Sequence, residues 1–92
     1  MNLRDFKKDV DYFVGDFIDD CTLFLQIHPD KAPDEVADIM EKAVDLYNDL
    51  KDKANIKVEG KKSVYFNSLR MEMVDQIGEL YEKLSEIVSS HK

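Results

Sequence analysis

Apolar residues return every three or four positions in three separate runs along the chain. In the first run Leu3, Phe6, Val10, Phe13, Phe17, Phe24 and Ile27 form one stripe, widened by Val14, Ile18 and Cys21, with Asp5, Asp9, Asp16 and Asp19 outside it. The second carries Val36, Ile39, Met40, Ala43, Leu46, Tyr47 and Leu50, with Val44 at the margin. The third carries Phe66, Leu69, Met73, Ile77, Leu80, Leu84 and Ile87, flanked by Tyr65, Val74, Tyr81 and Val88. This spacing belongs to amphipathic helices whose apolar face meets a partner. It predicts helices over about residues 3–27, 33–53 and 63–89.

The breaks between the runs carry their own chemistry. Pro29 disfavours helical geometry at His28 and ends the first helix there. Pro33 suits the first position of the next helix, where no backbone donor is lost, and Asp34 and Glu35 in that first turn complement the helix dipole. Asp38 with Lys42, and Asp49 with Lys53, are opposite charges at i,i+4 spacing, each pair worth a few tenths of a kcal/mol. The second break, ANIKVEGKK, is polar and contains Gly60; Ile56 and Val58 in it can cover a core end. Ser63 is the expected N-cap of the third helix, and residues 89–92 are expected to fray. Gly15 inside the first helix costs about 1 kcal/mol relative to Ala; it either admits a close neighbour or is simply tolerated.

Three long stripes joined by short links predict an all-α, antiparallel up-down-up bundle in one domain spanning residues 1–92. The first and third helices would be roughly 35–40 Å long and the second nearer 30 Å. That mismatch leaves apolar surface overhanging unless the ends bend inward or a second chain covers them. Self-association is therefore an expectation to test.

Composition narrows the functional classes. The chain has 92 residues, 43% hydrophobic and 36% charged, with three Gly, two Pro and a formal charge of −7. An acidic surface of that size opposes binding to nucleic acid and to anionic membranes. No apolar run reaches the roughly 18 residues of a spanning helix, and the N-terminal MNLRDFKKD lacks the apolar core of a signal peptide. With one cysteine no intrachain disulfide can form, and a cytoplasmic setting is the expected one.

His28, Pro29 and Asp30, with YNDLKD at residues 47–52, resemble the His-Pro-Asp turn and the Tyr-x-x-Leu-x-Asp end of the following helix in J-domain co-chaperones. That resemblance implies stimulation of an Hsp70 ATPase through His28, Pro29 and Asp30. The helix ahead of the turn departs from the family: GDFIDDCTLFLQI carries Asp16, Asp19 and Asp20 and no basic residue, where a J-domain offers Lys and Arg to an acidic chaperone surface. Like charges would oppose that docking. The third helix is also too long for the family. The simpler reading makes His28 a helix end and Asp30 an acceptor of backbone hydrogen bonds in the turn. Over most of its length, through LRDFKKDVDYFVGDFIDDC, IHPDKAPDE and ADIMEKAVDLYNDL, the chain resembles a group of short uncharacterised helical proteins from Bacteroidetes. That resemblance implies a helical bundle and no particular activity.

Other reactive side chains have plain structural readings. His28 with Asp30 could ligate a metal, but no Glu-x-x-His pair is present to build a di-iron bundle site, His91 lies in the tail, and neither metal nor cofactor is expected. Cys21 sits beside Phe17 and Phe24 on the apolar stripe, where burial makes a thiol inert. Asp16, Asp19 and Asp20 can approach Glu79, Glu82 and Glu86 at one end of the bundle, a solvated cluster in the ordinary case. Arg4, Lys7, Lys8, Lys51, Lys53, Lys57, Lys61, Lys62 and Arg70 should gather at one pole, and Asp16, Asp19, Asp20, Asp30, Asp34, Glu35, Glu79, Glu82 and Glu86 at the other, a layout able to orient encounters. The reading that follows is a non-enzymatic protein interaction or assembly module, its partner another protein or a second copy, with a divergent co-chaperone as the alternative.

Overall fold

A computed structural model describes residues 2–90. It contains three helices and, among the described residues, no strand: α1 spans Leu3–Ile27, α2 Pro33–Ala54 and α3 Lys62–Ser90. Each boundary lies within one residue of the sequence expectation. All three pairs of helices touch. Phe6 near the start of α1 stacks on Phe66 near the start of α3 at 5.6 Å, and the Tyr65 hydroxyl donates to the Lys53 carbonyl at the end of α2. The order is therefore up-down-up, in a rod of 49 × 16 × 16 Å.

Local chemistry sets the ends. The Asn2 side chain accepts the Asp5 N–H at 2.9 Å and caps α1. At its other end the His28 N–H donates to the Phe24 carbonyl at 2.8 Å, and the chain then turns through Pro29. Ala32 precedes Pro33 in the left-handed region, at φ 46° and ψ 49°, a conformation that a non-glycine residue rarely adopts. α2 starts without a side-chain cap, with Pro33 in its first turn and Lys51 and Lys53 in its last. Gly60, at φ 94°, supplies the turn that leads into α3.

Two expectations about α3 change. The helix opens one residue before Ser63, and the Lys61 carbonyl accepts the Tyr65 N–H, so Lys61 holds the capping position and Ser63 lies inside the first turn. Ser89 and Ser90 remain helical, while the expected fraying of His91 and Lys92 falls outside the described residues.

The core is the junction of the three seams. Phe6, Val10, Phe17, Cys21, Val36, Ala43, Leu50 and Met73 have no solvent exposure, and each large side chain buried this way contributes about 1.5–3 kcal/mol. All seven predicted seam residues of α3 are buried. In α1 the seam is rotated from the predicted stripe. Val14 and Cys21 are buried, Phe13 and Phe24 are half-buried, Leu3 sits at the rim and Ile27 is exposed. The reason is geometric: α1 packs on two helices at once, so the middle of its face points to the junction between them, and Phe13 lies towards α3. Among the described residues no polar or charged side chain is buried.

Gly15 admits no neighbour, because a Cβ built there meets nothing within 4 Å. Gly15→Ala should therefore raise stability by about 1 kcal/mol, an increase in melting temperature of roughly 4–8 °C for a domain of this size. A thermal melt showing no rise would contradict the open space around that position.

Candidate interaction surfaces

The His28-Pro29-Asp30 turn links α1 to α2. His28 is half-buried with its ring 5.3 Å from that of Phe24, and its carbonyl accepts the Lys31 N–H at 3.1 Å. Backbone groups thus close the turn. The Asp30 carboxylate accepts no backbone hydrogen bond and is exposed, which corrects the expectation that it holds the turn together. The helical surface leading into the turn keeps the acidic character read from the sequence.

A girdle of polar bonds ties the helices together around the core. Asp9 of α1 pairs with Arg70 of α3 at 2.9 Å, and Arg70 also lies over the Phe13 ring. Asp11 accepts the Tyr47 hydroxyl at 2.9 Å and meets Lys51 at 3.3 Å, joining α1 to α2. The Tyr47 hydrogen bond, with Lys51 adding to it, outweighs burial and holds the Asp11 carboxyl below its ordinary value. Burial works against the Lys51 charge, but its bonds to Asp11 and Tyr47 prevail and lift its pKa. Lys53 bridges Glu72 of α3 and Asp49 of its own helix, and those bonds raise its pKa too. The Asp38–Lys42 pair also forms, at 3.2 Å.

This girdle alters the expected poles. Lys51, Lys53 and Arg70 are neutralised by carboxylates, which leaves Arg4, Lys7, Lys8, Lys57, Lys61 and Lys62 as the free cations of the basic end, with Asp5, Asp52 and Glu59 among them. At the other end Tyr81 of α3 packs edge-on against Phe17 at 4.8 Å and donates to Asp20 at 2.8 Å, with Asp16 at 3.5 Å. Burial, then the bond to Asp20, pushes the Tyr81 hydroxyl well above its ordinary range. Two of the predicted acids are thus organised by a tyrosine. No set of three or more His, Cys, Asp or Glu among the described residues is placed to hold a metal ion, and no helix there is long and apolar enough to cross a membrane.

One surface was not visible as a unit in the sequence. Val64, Met71, Val74, Gly78, Tyr81, Ser85 and Val88 follow heptad spacing along α3, offset from the core seam. Met71 and Val64 are 69% and 61% exposed. Val74, Gly78 and Tyr81 share a groove with Tyr12, Phe13 and Asp16 of α1. On α1 the spacing carries the same flank on to Leu23 and Ile27, both exposed. α2 presents only Val44 among the exposed large hydrophobics, its remaining outer positions being mostly charged or polar. Single exposed apolar side chains are ordinary; a row of them at helical register is a face. The signal lay in a second three-four repeat in α3, overlapped by the stronger core repeat.

Cys21 is fully buried, and burial, with the nearby Asp20 charge, pushes its thiol up to about 11. A folded pKa above the unfolded value stabilises the protein below about pH 9 and loses that contribution as pH rises towards 11, a share of roughly 3 kcal/mol. Urea midpoints measured at about pH 8 and about pH 11 should fall steeply for the native chain and less steeply for Cys21→Ala. Equal falls in both would show that the thiol does not carry the effect.

Asp30→Asn should change stability by no more than about 0.5 kcal/mol, as at other exposed positions without partners. An Hsp70 should keep its basal ATPase rate with the chain in excess. Stimulation that Asp30→Asn abolishes would instead establish the co-chaperone alternative. No protein-family model matches the chain, and neither a curated protein nor a solved structure matches it.

Proposed function

We propose that this protein is a non-enzymatic interaction or assembly module that works through the apolar face shared by α1 and α3. The observation that carries the reading is the asymmetry of the rod. Tyr12, Leu23, Ile27, Val64, Met71, Val74 and Val88 are exposed on α1 and α3, whereas α2 turns charged residues outward. Apolar side chains concentrated on one side of a rod, here interrupted by Asp16 and Asp75, cost stability in water and favour association with a partner. The heptad spacing of the α3 row is the geometry with which one helix receives another.

The groups able to do chemistry support the same reading, because each has a structural task. Cys21 is a buried thiol, His28 rests against Phe24, and the Tyr81 hydroxyl is held by Asp20. The interaction is with protein, since the outer face of α2 and the acidic pole would repel nucleic acid and anionic lipid alike.

A photo-crosslinking residue placed at Val74 should form covalent adducts in the protein's own cells, and the same residue at Val44 on the opposite face should not. Equal adduct formation at the two positions, or none at Val74, would sink the reading.

A further inference from the structure

Resting on that reading, we infer that the occupant of the α1/α3 face is a second copy of this chain, packed with its long axis reversed. Size is the first argument. The whole rod is 49 Å long and 16 Å across, so one side of it offers at most roughly 800 Å², about one partner's share of a standard interface. A twofold dimer that uses the full length of this side reaches the size of a specific interface.

Charge selects the orientation. The free cations Arg4, Lys8, Lys61 and Lys62 stand at one end of the rod and Asp20 and Glu82 at the other, while Glu86 lines the groove between α2 and α3. Parallel packing would set like poles together, whereas reversed packing sets each basic end against the partner's acidic end. Opposite potentials meeting in this way favour the encounter and fix its register. Asp16 and Asp75, both exposed near mid-height, oppose the contact, so burial of the apolar row must supply most of the affinity.

Shape agrees with charge. α1 and α3 run side by side in the same direction, with Phe6 level with Phe66 and Asp20 level with Tyr81. A twofold axis across the middle of this face reverses the partner and sets α3 against α3, which brings Val74 of one copy opposite Gly78 of the other, and Val64 opposite Val88. Gly78 is a notch, with nothing within 4 Å of where a Cβ would be. The face thus carries both the protrusion and the recess that its own copy needs.

Sedimentation of the full chain from micromolar to millimolar concentration should show a reversible monomer–dimer equilibrium. Met71→Glu should weaken it by more than about tenfold, since each substitution enters a twofold interface twice, with helical circular dichroism unchanged. Under mild oxidation Val64→Cys mixed with Val88→Cys should give a disulfide-linked dimer far faster than either protein alone. A chain that stays monomeric throughout, or single variants that each crosslink to themselves as a parallel dimer would, overturns the inference. If the Val74 crosslinks in cells join a different protein while the isolated chain remains monomeric, the second copy is excluded and the interaction reading stands. If Val74 forms no adducts and the chain is monomeric, both fall.

Discussion

Burial of three apolar seams at one shared junction is the interaction on which the rest of this molecule depends. Most of the stability of a helix in a protein comes from packing its amphipathic face and little from its own hydrogen bonds. α1, α2 and α3 persist because Phe6, Phe17, Leu50 and Met73 lose all contact with solvent only when the helices are together. So small a core has little redundancy. Because no polar or charged side chain among the described residues enters it, it imposes no desolvation cost that a hydrogen bond must offset.

A hydrophobic junction alone does not fix how three rods slide past one another. The polar girdle does that work at the edge of the core. Asp9 meets Arg70, Asp11 meets Tyr47 and Lys51, Lys53 meets Glu72, and Tyr81 meets Asp20. These pairs are partly exposed, and each contributes little net stability there. Their value is positional: a shift of one turn along any helix would break several at once. The same pairs consume charge that would otherwise have strengthened the basic pole, so register is gained at some cost in polarity.

The bundle that results has unlike sides. α2 turns a charged back to water, while α1 and α3 expose a row of apolar side chains beside a groove. A three-helix arrangement buries one stripe per helix, and α3 carries a second. This excess is what the functional reading rests on. It also gives physical content to the mismatch in helix length: the exposed Ile27 and Val88 lie at the end where α1 and α3 terminate together.

The amino-acid pattern by itself determined that three helices form, close to where each begins and ends, and which residues of α2 and α3 go inside. Periodicity suffices for that, because residues sharing a helical face are set by the 3.6-residue turn whatever surrounds them. Pro29 and Pro33 marked the first break for equally local reasons. The tertiary structure alone decided that Val14 and Cys21, more than Phe13 and Phe24, occupy the junction. It also decided that Asp30 stays free, that Lys51, Lys53 and Arg70 are neutralised, and that Val74, Gly78 and Tyr81 of α3 share a groove with Tyr12 and Phe13 of α1. Each of these turns on which neighbour arrives against a helix, and at what height. Asp9 and Arg70 are 61 residues apart, a separation across which local spacing carries no information until the helices dock.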